Sequence, residues 1–186
     1  MRALVVYESM YGNTRVVATN IADGLRTACE VTLVPVSAAT RELVSGADIL
    51  VVGGPTHMHG MSGTASRRMA ADAARKEGSG LELDPDAAGP GLRDWLRELG
   101  TSHLLAAAYD TRFSGPPAFT GRASRGIARL LKQRGCLLVA APESFLVTKQ
   151  NTLADGESSR ARRWGVALST TASIAASTTR ADGLKA

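Results

Sequence analysis

Five short apolar runs alternate with stretches of helical spacing along the chain, and this alternation limits the possible folds more than any other feature. Ala3 to Tyr7 and Val31 to Val36 read as two strands, Ile49 to Val52 as a third and Leu104 to Tyr109 as a fourth. Leu137 to Ala141 and Phe145 to Val147 read as two pieces of a fifth, interrupted at Pro142-Glu143-Ser144. Between them, Val17, Ile21 and Leu25 recur as on one helix face over residues 14–25. Further helices are expected around residues 41–44, from 62 or 64 to 76, over 92–99 and over 124–134, the last with Ile127, Leu130 and Leu131 inward. A final helix, capped by Asp155, carries Ala161, Trp164, Leu168 and Ala172 at helical spacing. Strand–helix alternation of this kind argues a parallel sheet with helices on both faces. The unbroken apolar run Ile49–Val52 suits a central strand, and Pro35, which lacks a ladder donor, suits an edge strand.

Between the first strand and the first helix lies Ser9-Met10-Tyr11-Gly12-Asn13-Thr14. Backbone N–H groups at a helix start have no partner within the helix, and the dipole there is positive. The hydroxyls of Ser9 and Thr14 and the amide of Asn13 add donors, and Gly12 permits close backbone approach. This is a phosphate site by composition. It lacks the Gly-Lys-Ser/Thr ending of the ATP-type loop, and its single glycine excludes the dinucleotide fingerprint.

The loop resembles that of the flavodoxin family, in which a Ser/Thr-x-Ser/Thr-Gly-x-Thr sequence surrounds the phosphate of FMN. Tyr11 stands where that family has Ser or Thr, so one hydroxyl is displaced or lost. The resemblance implies an α/β, flavodoxin-like doubly wound sandwich whose five-stranded parallel sheet has the order 2-1-3-4-5. In such a sheet ligands sit at the carboxyl ends of the strands, where the order reverses. The loops after strands 1, 3 and 4 converge there, and they are the richest in Gly, Ser, Thr, Met and aromatic residues.

By that resemblance the first clamp on a flavin ring maps to Pro55, Thr56, His57, Met58, His59 and Gly60, and the second to Tyr109, Asp110, Thr111, Arg112, Phe113 and Gly115. The first loop has no Trp, so Met58 or a histidine would cover one ring face, with Phe113 or Tyr109 on the other. His57 and His59 read either as proton donors beside a flavin or quinone or as polar rim residues. His57-x-His59 lacks a third ligand at metal spacing, so no metal is expected. Asp110 would meet the pyrimidine edge or serve as a turn residue. Arg112 beside the ring would stabilise an anionic reduced flavin, or else point to solvent.

The net charge is +5, and 18 of the 22 basic residues are arginine. They look scattered, without a basic run interleaved with aromatics, which argues against nucleic acid. A positive field suits acidic redox partner proteins or an anionic cofactor. Cys29 and Cys136 stand far apart and read as two buried thiols. No apolar run approaches the roughly 18 residues that a membrane span needs. The chain enters a strand at once, without a leader, so a cytoplasmic location is expected.

Residues 1–176 read as one domain and 177–186 as a frayed tail. Gly78 to Gly91 reads as a surface excursion and residues 110–121 as a long loop. The first functional reading is an FMN-binding electron-transfer protein, the flavin supplying the chemistry. A second is an FMN-dependent oxidoreductase, quinone-reductase- or protoporphyrinogen-oxidase-like, with a small-molecule acceptor. A third is a binding module that keeps the fold without redox turnover.

Overall fold

The computed structural model describes residues 1–183, the side chains as far as residue 177. The strands are β1 (Arg2–Tyr7), β2 (Glu30–Pro35), β3 (Ile49–His57), β4 (Gly60–Met61), β5 (Leu105–Phe113), β6 (Leu137–Leu138) and β7 (Glu143–Val147). The helices are α1 (Asn13–Leu25), α2 (Arg41–Ser45), α3 (Thr64–Ala74), α4 (Leu92–Glu98), α5 (Pro117–Thr120), α6 (Ala123–Gln133) and α7 (Glu157–Gly183). The expected tail at residues 177–186 falls largely outside the described side chains, and residues 184–186 are outside the description altogether.

The parallel strands lie in the order β2-β1-β3-β5, with β6 pairing the start of β5 and β7 its end. This is the expected 2-1-3-4-5 order, with the fifth strand in two pieces. Side chains alternate across the sheet. Leu4, Val6, Leu50, Val52, Ala106 and Ala108 face α2, α4 and α6. Ala3, Val5, Tyr7, Ile49, Val51, Ala107 and Tyr109 face α1 and α7.

On that second face α1 and α7 pack backbone to backbone. A Cβ built on Gly24 would lie 2.1 Å from the Arg162 carbonyl oxygen, and one on Gly165 would lie 2.3 Å from that of Ile21. Tyr109, Phe145 and Trp164 form an edge-to-face triad with centroids 6.1–6.3 Å apart. Arg160 stacks 4.3 Å over the Phe145 ring and binds both Glu143 and Glu157 at 2.6 Å, which ties the start of α7 to β7.

Three expectations are corrected. β3 does not end at Val52 but continues through Pro55-Thr56-His57 and turns back as a hairpin with β4. Likewise Asp110 to Phe113 are strand, not loop, because residues 53–55 pair with 109–111 and residues 109–113 with β7. Gly53 and Gly54 are there for space: a Cβ on Gly53 would lie 2.0 Å from the Tyr109 ring, and one on Gly54 would lie 2.8 Å from Leu92. Pro55 is tolerated because β1 has already ended there, its last partner on β3 being Gly53. Finally, α7 begins at Glu157, preceded by Gly156 at φ +77°, so Asp155 stands outside the cap position.

Candidate functional site

The carboxyl ends of β1, β3, β5 and β7 surround a pocket of about 660 Å³, within the range of small-molecule sites. Met10, Tyr11, Asn13 and Thr14 line it from the first loop, and Pro55, Thr56, His57, Met58 and His59 from the β3–β4 hairpin. Thr111, Arg112 and Phe113 line it from the end of β5. Of the residues expected there, Ser9, Gly12, Gly60, Tyr109, Asp110 and Gly115 do not reach its wall.

Each of the buried ones has another task. Ser9 accepts a hydrogen bond from the Gly12 amide (3.1 Å) and so shapes the loop from within. Tyr109 belongs to the aromatic triad, on the sheet face away from α6, and cannot cover a ring in this pocket. The Asp110 carboxylate accepts from the Ser124 amide in the first turn of α6 (2.7 Å).

Burial raises the Asp110 carboxyl above the ordinary aspartate range, opposed by hydrogen bonds from Ser124 and Ser144 and by the Arg122 charge. A folded-state value above the unfolded one means that stability falls as pH rises from the unfolded value through the folded one. An Asp110→Asn variant removes this loss. Its stability relative to the wild type is expected to improve between about pH 4 and about pH 7 in urea melts. An equal difference at both pH values would contradict that assignment.

The start of α1 is built to receive an anion. Gly12 takes φ +89°, no side chain caps the helix and its first turn holds no acidic residue. The first intrahelical bond runs from the Val16 amide to the Gly12 carbonyl, which leaves the amides of Asn13, Thr14 and Arg15 without a helical acceptor. The Thr14 and Thr111 hydroxyls meet at 2.7 Å, and because one hydrogen serves that contact the other hydroxyl proton stays available. Tyr11 sends its phenol to the Ala70 carbonyl (2.8 Å), so it braces the loop against α3.

The loop after β7 was not foreseen as part of the site. The Asn13 amide donates to both the carbonyl and the side-chain oxygen of Asn151, each at 3.0 Å. Asn151 takes φ +58°, and Val147 and Lys149 join it in the wall. The polar run Lys149-Gln150-Asn151-Thr152 after the last strand was the available signal. The other side is walled by Ser66, Met69 and Ala70 of α3 and by Ser79 and Leu81 of the excursion. Phe119 and Thr120 of α5 complete the wall.

Glu8, at the end of β1, was also missed. One oxygen of its buried carboxylate accepts from the Ser62 hydroxyl (2.6 Å) and the other from the Leu92 amide (2.7 Å). Arg67 lies 3.4 Å from it and donates in turn to the Ala87 and Gly89 carbonyls. One carboxylate thus fastens the hairpin, α4 and the excursion to the strand that carries the first loop.

His57 is held below the ordinary histidine range by burial; the Glu8 charge and the Ser66 carbonyl oppose this and the Arg67 charge adds to it. Its imidazole is neutral at physiological pH. Met58 and His59 form the hairpin tip at φ +46° and +71°, and His59 bridges to Gly121, where a Cβ would lie 2.2 Å from the His59 backbone. Arg112 is half-buried and donates to the Phe113 and Gly115 carbonyls and to the Thr120 hydroxyl (2.8–3.2 Å). It therefore does not simply point to solvent; it ties the turn after β5 to α5.

Among the described residues no carboxylate lines the pocket, whereas Arg112 and Lys149 do. With the open amides of α1 beside an apolar slot, this donor set fits a phosphate joined to a flat, partly apolar group. Both cysteines are buried and unpaired. Among the described residues no group of His, Cys, Asp and Glu could hold a metal ion, and no helix is long and apolar enough to cross a membrane.

Comparison with known proteins bears on the fold. The Flavodoxin domain family matches residues 4–68, the stretch from β1 into α3. No curated protein matches the sequence. Among solved structures, a flavodoxin from the domain Archaea is similar with a TM-score of 0.64 at 17% identity, over 93% of this chain and 99% of that one. Flavodoxin 1 from Bacillus cereus gives 0.60 at 18% identity, over 89% and 95%. Rubredoxin oxygen:oxidoreductase from Desulfovibrio gigas gives 0.61 at 17% identity, over 93% of this chain and 36% of that one. Residues 4–68 thus match the Flavodoxin domain family, and the chain has the flavodoxin-like fold over most of its length.

Proposed function

We propose that this protein binds FMN and acts in electron transfer. The observation that carries the reading is the open, uncapped start of α1 facing a slot that three further strand ends complete. The amides of Asn13, Thr14 and Arg15, the Thr14–Thr111 hydroxyl pair and Lys149 would hold the phosphate. Met58 and Phe113 would flank the ring, and His57, neutral, would offer a hydrogen bond at its edge. The flavin would supply the redox chemistry; the protein supplies orientation and electrostatics.

The positive lining sets an expected result. A pocket with cations and no carboxylate favours the anionic reduced cofactor, so the reduction potential should be less negative than in flavodoxins that surround FMN with acidic groups. An Arg112→Ala variant should move the potential to a more negative value, measured by equilibrium titration against indicator dyes. An unchanged potential would show that Arg112 serves α5 alone, through its bonds to the Gly115 carbonyl and the Thr120 hydroxyl.

A second reading, an FMN-dependent oxidoreductase with a small-molecule acceptor, is favoured by one feature. Met69, Ser79 and Leu81 extend the wall beyond the three expected loops. Turnover of a quinone or porphyrinogen with the purified FMN-loaded protein would select it. Its absence, with one-electron exchange to a carrier protein, would select the first.

A further inference from the structure

The basic residues are less scattered than the sequence pattern suggested. From residue 111 to residue 142 there are six arginines and lysines and no aspartate or glutamate. The remaining 154 residues are net −1, so this one segment accounts for the chain's positive charge. Within it, Arg112, Arg122 and Arg134 are occupied by hydrogen bonds to carbonyl and hydroxyl oxygens. Arg125, Arg129 and Lys132 are exposed, and among the described residues no carboxylate pairs with them. Their spacing puts all three on one side of α6 over roughly 10 Å. They flank a shallow groove of about 500 Å³ with Leu138 and Pro142.

This stripe begins at the mouth of the candidate site. The Ala123 amide, in the first turn of α6, donates to the Thr56 hydroxyl (3.0 Å), and α5 lies just before α6. Around the mouth stand four exposed apolar side chains: Met58 (75% exposed), Phe119 (77%), Met69 (61%) and Phe113 (56%). An apolar centre bordered on the α6 side by exposed cations has the anatomy of a protein interface. Charges at its edge govern the rate of encounter.

We propose that the exposed face of α6, together with the apolar rim beside it, docks an acidic electron-transfer protein. The proposal rests on the FMN reading and names its partner by charge. The groove favours protein over nucleic acid because its cations are few and adjoin an apolar rim rather than a long basic track. In the docked pair the partner's one-electron centre would be oxidised and the flavin reduced by that electron, with no covalent bond made or broken.

The probe is an acidic [2Fe–2S] ferredoxin, with wild type and an Arg125→Glu/Arg129→Glu/Lys132→Glu variant. FMN affinity, from fluorescence quenching, is measured first and should be equal in the two proteins. Calorimetric titration with the oxidised ferredoxin, without FMN, then reads the surface alone. Wild type is expected to bind at low salt and to weaken as salt rises, and the variant to bind about tenfold or more weakly. Reduction of the FMN-loaded protein by the reduced ferredoxin should fall in parallel. Equal ferredoxin binding by both proteins, or binding insensitive to salt, overturns the proposal. So does duplex DNA binding that the variant loses while ferredoxin fails to bind wild type. Failure to bind FMN with ferredoxin binding intact removes the proposed function and leaves the surface supported. A variant with glutamine at the three positions, which leaves no repulsive charge, serves if the glutamates disturb folding.

Discussion

A Glu8→Ala variant is expected to lose about 3–5 kcal/mol of stability, because it strands Arg67 without its counter-charge in a buried setting. The carboxylate side chain is 4% exposed. Its removal also leaves the Leu92 amide and the Ser62 hydroxyl without acceptors, and each such buried group costs about 1–3 kcal/mol. The costs do not simply add, since the two donors and the Arg67 charge share one carboxylate. Glu8→Gln keeps the shape and one acceptor and should lose less. A double Glu8→Ala/Arg67→Met variant should recover part of the single loss, because it removes the uncompensated charge. The effect should also be local: amide exchange at residues 87–92 and 61–63 should quicken before exchange at β1 does. Urea melts that place Glu8→Ala within about 1 kcal/mol of wild type would show that the carboxylate does not hold these segments.

A Gly24→Ala variant should lose about 3 kcal/mol or more, against the ordinary preference of helices. Within a helix, alanine in place of glycine normally gains about 1 kcal/mol. Here the new methyl would meet the Arg162 carbonyl, the Val166 amide and the Gly165 Cα at 2.1, 2.8 and 2.9 Å. All three are backbone atoms, so the helices must separate, and overpacking of this kind costs at the upper end of its usual range. The expected fall in melting temperature is about 6–12 °C for a chain of this size. Gly126 supplies the control. It too lies inside a helix, but a Cβ there meets only the flexible end of Met61 at 3.2 Å. Gly126→Ala should be neutral or stabilising. If Gly24→Ala behaves like Gly126→Ala, α7 does not pack on α1 as described.

The alternation of apolar runs and helical spacing was enough to read the layers, because burial of strand faces leaves a periodic mark, whereas the strand order came from the resemblance of the first loop. Val17, Ile21 and Leu25 are fully buried on the sheet, as their spacing implied. The ends of strands were harder to read. Gly53-Gly54-Pro55 has the composition of a turn, yet the glycines make room for Tyr109 and Leu92, which are distant in the chain. A local reading has no access to that reason. Reading the strand as ended at Tyr109 placed its ring in the site, whereas the pleat sends it to the opposite face.

The site divides in the same way. Met10, Tyr11, Asn13 and Thr14 were legible because a strand-to-helix loop of donors has its own chemistry. Lys149 and Asn151 were not read as site residues, since only the position of β7 beside β5 carries their loop to the pocket. Glu8 was illegible for another reason. A lone carboxylate after a strand reads as solvated, and its partners lie 54 and 84 residues further along the chain.

The central claim is that these strand ends form a working flavin site, and titration of FMN with the purified protein tests it most directly. Quenching of FMN fluorescence that saturates at a 1:1 ratio, with a dissociation constant of order 0.1–10 μM, is the expected result; each tenfold is worth about 1.4 kcal/mol. This affinity reflects the absence of an indole in the first clamp and the presence of Met58 there. FMN fluorescence unchanged by protein at roughly a hundred times that concentration range would contradict the claim.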